Sequence, residues 1–139
     1  KTDVVQMLNG CIGGLVAITA EPLMPSPLAA ILIGAVGGVI VVYGTKFLLS
    51  LKIDDVVGAI PAHLFAGIWG TLAVPITNSD TSFGAQLLGV ISINAFVFIV
   101  SFIIWALMKN TFGIRLSKEG ELKGTDVTET GVIAYAIRD

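Results

Sequence analysis

The sequence predicts an all-α, polytopic transmembrane helix bundle. Of its 139 residues, 55% are hydrophobic and only 13% charged, and the mean hydropathy is +0.91. Soluble domains carry about 25% charged residues, and disordered chains combine low hydrophobicity with high net charge. Ten of the eighteen charged residues fall between Lys109 and Asp139, leaving long apolar stretches before them. Those stretches are continuous rather than alternating, and twice the roughly ten residues of a barrel strand. Helices therefore satisfy the backbone in lipid.

Four apolar runs can be delimited, at about 4–20, 28–51, 56–76 and 83–108, followed by a water-facing tail over 109–139. A bilayer core about 30 Å thick needs roughly 20 apolar residues of helix. The last three runs reach that length. The first is short and holds Gln6 and Asn9, so it leans on neighbouring helices rather than on lipid. The connections are a proline-rich turn from Glu21 to Pro27, a charged link Lys52-Ile53-Asp54-Asp55, and a polar turn from Thr77 to Ser82. Proline inside a helix removes a backbone donor and clashes with the preceding turn, which ends the first run.

Topology follows from the basic residues. Lys1, Lys46, Lys52, Lys109, Arg115, Lys118, Lys123 and Arg138 all fall on one side of the alternating spans, and the other two connections carry none. The positive-inside rule makes that side cytoplasmic, with both termini there, in a plasma or inner membrane. No basic n-region with a small-residue cleavage site opens the chain, so the start does not read as a secretory signal. A start at Lys1 inside a span-like pattern is expected of part of a longer chain.

The polar residues within the runs carry the chemistry. Gly10-x-x-x-Gly14 and Gly34-x-x-x-Gly38 are small-residue spacings that fit close helix contact or ordinary glycine tolerance in membranes. His63, the single histidine, is expected near the middle of the third helix. An ionisable group inside a span is costly and marks a functional site by default. Two roles fit it: lining a path for a small polar molecule or proton, or hydrogen bonding to a neighbouring helix. Pro61 is expected to kink this helix or help it start. Asp54 and Asp55 precede it, where carboxylates cap free N–H groups or attract a cation. Asn94 is expected to bond between helices, Trp105 to join an interfacial belt, and Cys11 to pack as a small residue. There is no nucleophile–base pair, phosphate loop or metal-ligand spacing, so the chain does not read as an enzyme and calls for no cofactor.

The segment from Asp54 to Leu72, DDVVGAIPAHLFAGIWGTL, resembles the signature of the ammonium transporter (Amt/Mep/Rh) family. The first run agrees with Leu8-Asn9-Gly10-Cys11-Ile12-Gly13-Gly14-Leu15-Val16-Ala17-Ile18-Thr19, and the tail with Gly113-Ile114-Arg115-Leu116-Ser117 and Gly124-Thr125-Asp126-Val127-Thr128. The resemblance implies the last four of eleven transmembrane helices plus a cytoplasmic regulatory tail. It implies a homotrimer, with ammonium deprotonated at an outer vestibule and carried through a hydrophobic pore in each protomer. His63 matches the second of two facing pore histidines, and Asp54 and Asp55 the acidic pair at the cytoplasmic helix start. In the tail, Arg115, Gly124, Asp126 and Thr128 match the regulatory region. Thr128 stands where plant relatives carry a phosphorylated threonine, and PII-type signalling proteins dock on that face.

Three features depart from the family pattern. The first seven helices are not in this chain, Leu64 replaces a usual glycine, and Thr130 with Val132-Ile133 replaces a more polar stretch. Two other functions fit the same resemblance: an ammonium-sensing membrane domain of a signalling protein, or a non-conducting structural fragment.

Overall fold

The structure, a computed structural model, describes residues 3–23 and 26–133. Lys1, Arg138 and the Met24-Pro25 step of the first connection, all used in the topology argument, lie outside the described residues. Every regular element among the described residues is helical. They are α1 (Val4–Ile18), α2 (Pro27–Ser50), α3 (Ile60–Thr77), α4 (Phe83–Thr111), the short α5 (Lys118–Lys123) and a π turn (Asp126–Thr130). Helices α2, α3 and α4 are long and apolar enough to cross a membrane, whereas α1 has 15 residues. The chain divides within α4 into two compact units, Lys1–Asn94 and Ala95–Asp139.

Local chemistry sets the boundaries. The Asp3 carboxylate accepts from the Gln6 N–H at 3.0 Å and starts α1. Pro27 occupies the first turn of α2, where its missing donor costs nothing. Helix α2 closes after Ser50 with Lys52 in the left-handed region (φ 57°), and the Ile53 N–H donates back to the Leu48 carbonyl at 3.1 Å. Ser82 Oγ accepts from the Ala85 N–H at 3.2 Å and opens α4.

Helix α3 begins at Ile60, four residues later than the apolar run suggests. The reason is electrostatic. Both oxygens of Asp55 hold backbone donors, Oδ1 taking the Ala59 N–H at 2.9 Å and Oδ2 the Ile60 N–H at 2.8 Å. Gly58 just before them has φ +72°, which a helix cannot contain. The first six residues of α3, Ile60–Phe65, form a π-helix, and Ala66–Thr77 are α-helical. His63 thus stands near the start of α3, not its middle. Pro61 lies in the first turn, so it helps the helix begin and is buried there.

In the first unit, α1 and α2 pack antiparallel through their glycines. A Cβ on Gly14 would meet the Gly34 carbonyl oxygen at 3.0 Å, and one on Gly37 would meet the Gly13 carbonyl and the Ala17 Cβ, both at 2.7 Å. Dispersion and close backbone approach hold such contacts, because lipid supplies no hydrophobic drive between helices. Helix α3 lies over both, with Gly70 tight against the Ala17 carbonyl. The buried core is made of alanines and two β-branched side chains: Ala17, Ile33 and Ala73 in one cluster, Val41, Ala62 and Ala66 in another. Trp69 packs on the first cluster, and its indole Nε1 donates to the Ile33 carbonyl at 3.1 Å. Cys11, expected to pack, is exposed, because the buried residues of α1 are Gly13 and Ala17.

Polar side chains fasten the unit at both ends. Gln6 Nε2 donates to Thr45 Oγ1 at 3.4 Å, and Asn9 Nδ2 to the Val57 carbonyl at 2.8 Å. At the opposite end, Asn78 Nδ2 donates to the buried Glu21 carboxylate at 2.9 Å, joining the first and third connections. Helix α4 has no buried residue. In the second unit, α5 starts at Ser117, whose Oγ accepts from the Gly120 N–H at 3.1 Å, and ends at Gly124 (φ +98°).

Candidate functional site

His63 is exposed and forms one wall of a cleft of about 310 Å³ with Leu64, Gly67, Ile68 and Thr71 of α3. The other wall is α4, through Gln86, Gly89, Val90, Ile93 and Asn94. The α3 residues recur at the three-and-four spacing of a single helix side. Gly67 and Gly89, lacking side chains, widen the cleft between the walls. No described residue hydrogen-bonds the His63 imidazole, so its donor and its acceptor nitrogen both remain available to a molecule in the cleft.

Asn94 departs from expectation. Its Nδ2 donates to the Val90 carbonyl of its own helix at 2.7 Å rather than bonding across helices. Its carbonyl oxygen is thereby left over as an acceptor. Together, one imidazole, one hydroxyl and two amides interrupt an otherwise apolar lining. Such a site suits a small molecule that hydrogen-bonds through a few atoms and sheds most of its water.

The other predicted residues fall in two places. Asp55 is a helix cap, as its two short N–H contacts show. Asp54 is exposed, and its carboxylate makes no hydrogen bond or ion pair among the described residues. Neither lines the cleft.

The tail residues are gathered in the second unit. Arg115 makes a two-pronged ion pair with Glu121, Nε to Oε1 at 2.6 Å and the guanidinium Nη2 to Oε2 at 3.1 Å. This hydrogen bond holds the Glu121 carboxyl below the usual carboxylate range and raises the Arg115 guanidinium above its own. Thr128 folds back on α5, its Oγ1 donating to the Gly124 carbonyl at 2.8 Å and the Gly120 carbonyl at 3.3 Å. Asp126 opens the π turn between them, and its carbonyl oxygen accepts from the Val132 N–H at 3.3 Å.

Sequence reasoning passed over Thr71 and Gln86 as lining residues. Thr71 stands two helical turns from His63, a spacing that can be read in advance. Gln86 is an isolated amide early in an apolar run, and nothing local says which neighbour it faces.

The sequence profile described as Ammonium Transporter Family matches residues 1–135. This chain belongs to the ammonium transporter family. Among similar proteins, Ammonium transporter Amt2 of Archaeoglobus fulgidus is 36% identical, with 97% of this chain and 33% of the relative covered. Ammonium transporter Amt1 of Haloferax mediterranei is also 36% identical, covering 97% of this chain and 27% of its own length. The ammonium transporter of Bacillus subtilis is 33% identical, with 97% and 37% covered. The chain therefore spans about a third of the length of the curated ammonium transporters it matches.

Proposed function

We propose that the protein containing this chain transports ammonium or ammonia across a membrane, and that His63 lines the path. The observation that carries the proposal is the placement of an exposed imidazole, with no hydrogen-bond partner among the described residues, on the wall of a largely apolar cleft. An apolar passage rejects a hydrated cation, whereas an imidazole can hydrogen-bond ammonia and relay a proton. The relatives' names support ammonium as the substrate.

The rest of the pore is proposed to come from helices outside this chain, in the eleven-helix homotrimeric arrangement the resemblance implies. The side bearing the lysines is proposed as cytoplasmic. The Glu21–Asn78 bond supports an alternating topology, since it brings the two lysine-free connections to one end. The tail's compact Arg115–Thr128 unit supports a regulatory platform, on which a PII-type signalling protein is the proposed partner.

The test is ammonium and methylammonium uptake by the full-length parent with and without His63→Ala. Loss or altered saturation and proton coupling is expected. Unchanged uptake, saturation and coupling refute the role of His63.

A further inference from the structure

Asn9 does not line the cleft, yet it governs the segment from which His63 emerges. Its Nδ2 donates to the Val57 carbonyl at 2.8 Å, across 48 residues of sequence. The same nitrogen is the atom that a Cβ on Gly58 would overlap. Val57 and Gly58 belong to the non-helical link before α3. The Gly58 carbonyl in turn accepts from the Ala62 N–H at 3.1 Å, one residue before His63.

Two side chains hydrogen-bond the backbone of this link, and they do different things. The Asp55 carboxylate bonds the Ala59 and Ile60 donors within the same stretch of chain. A local cap fixes where along the chain the helix begins, but not where that beginning sits relative to the scaffold. The Asn9 amide ties the link to α1, whose position is set by glycine packing on α2. The turn that follows is π-helical, wider than an α turn, so its starting peptide sets the direction in which His63 points.

We infer that Asn9 is a positioning residue for His63: by pinning the Val57–Gly58 peptide to α1, it fixes the phase of the π turn and the place of the imidazole on the cleft wall. The inference rests on the reading of His63 as a lining residue. It also accounts for an amide in an apolar helix, where an unpaired polar group is costly. Gly58 serves the same contact, since no side chain fits beneath the amide.

The experiment uses the full-length transporter reconstituted in liposomes, measuring ammonium and methylammonium turnover per copy of protein. Asn9→Asp keeps the shape but sets an oxygen against the Val57 carbonyl, and Asn9→Ala removes the contact. Each is expected to change the ammonium-to-methylammonium turnover ratio by roughly three- to tenfold, in the direction in which His63→Ala moves it. Gly58→Ala displaces the amide and is expected to shift the ratio the same way.

An unchanged ratio and turnover in Asn9→Ala, alongside an altered His63→Ala, overturns the inference and leaves the His63 reading standing. Lower abundance with unchanged per-copy turnover and ratio overturns it as well. Should Asn9→Ala fail to accumulate, the isosteric Asn9→Asp decides. An unaltered ratio in His63→Ala refutes the lining role itself, and the inference falls with it.

Discussion

Gly37→Ala tests whether the first unit is held by close helix approach. The added methyl would lie 2.7 Å from both the Ala17 Cβ and the Gly13 carbonyl oxygen, against the 3.4 Å at which ordinary van der Waals contact begins. Helix α1 must back away by about 0.7 Å to admit it. A gap of that size forfeits a quarter to a half of each dispersion well of about 0.1–0.2 kcal/mol. Spread over some tens of atom pairs along two packed helices, the loss is on the order of 1–2 kcal/mol, within the range of about 1–3 kcal/mol known for overpacking. The contact surrounding Gly37 has little room to relax, since Gly13 and Ala17 are themselves buried.

Gly10→Ala is the internal comparison. It stands on the facing helix α1, in the Gly10-x-x-x-Gly14 spacing, but a Cβ there meets nothing within 4 Å. Helix propensity then favours the alanine by up to about 1 kcal/mol. The assay is thermal unfolding of the purified full-length protein in detergent, followed by the loss of its monodisperse elution peak. Gly37→Ala is expected to unfold at lower temperature and Gly10→Ala at the same or a higher one. Equal melting of the two refutes the packing argument, because it would mean that the contact distances do not control stability.

Asp55→Ala removes the acceptor for two N–H groups and is expected to cost about 0.5–2 kcal/mol in the same melt, whereas Asp54→Ala leaves it unchanged. Asn78→Ala strips the buried Glu21 carboxylate of its amide donor, with an expected cost of about 1–3 kcal/mol, and a double-mutant cycle with Glu21→Ala should recover most of it. In the tail, the depressed Glu121 carboxyl makes the Arg115 link favourable above the ordinary carboxylate value of about 4.3 and lost as pH falls through the lower folded value. An NMR titration should show Glu121 ionising at lower pH than a free glutamate, and Arg115→Ala should return it to the ordinary value.

Hydropathy and charge placement made the helical class and the three long spans legible, because lipid forces backbone pairing within each span. His63 was legible as the one ionisable group within the 56–76 run. The start of α3 was not, since Val56 and Val57 look helical by hydropathy while the Asp55 cap and the left-handed Gly58 override them. Trp69 gave no local signal either way: its partner, the Ile33 carbonyl, lies 36 residues distant. The α4 wall of the cleft was hidden for a similar reason. Gln86 and Asn94 sit in a run apolar on every side, and a helix without an apolar stripe does not announce which face meets its neighbour.

The widened first turn of α3 decides where in this helix a change of chain length is tolerated. Each residue of a regular α-helix advances about 100° around the axis. A π turn closes five residues on rather than four, so it already holds surplus backbone. Losing one residue from Ile60–Phe65 is therefore absorbed by closing the turn to ordinary α geometry, with little rotation of what precedes it. Losing one between Gly67 and Thr71, where the helix is already regular, turns Thr71 by about 100° away from the side that His63 occupies. Gaps in the two stretches therefore weigh differently when a relative's cleft wall is compared with this one.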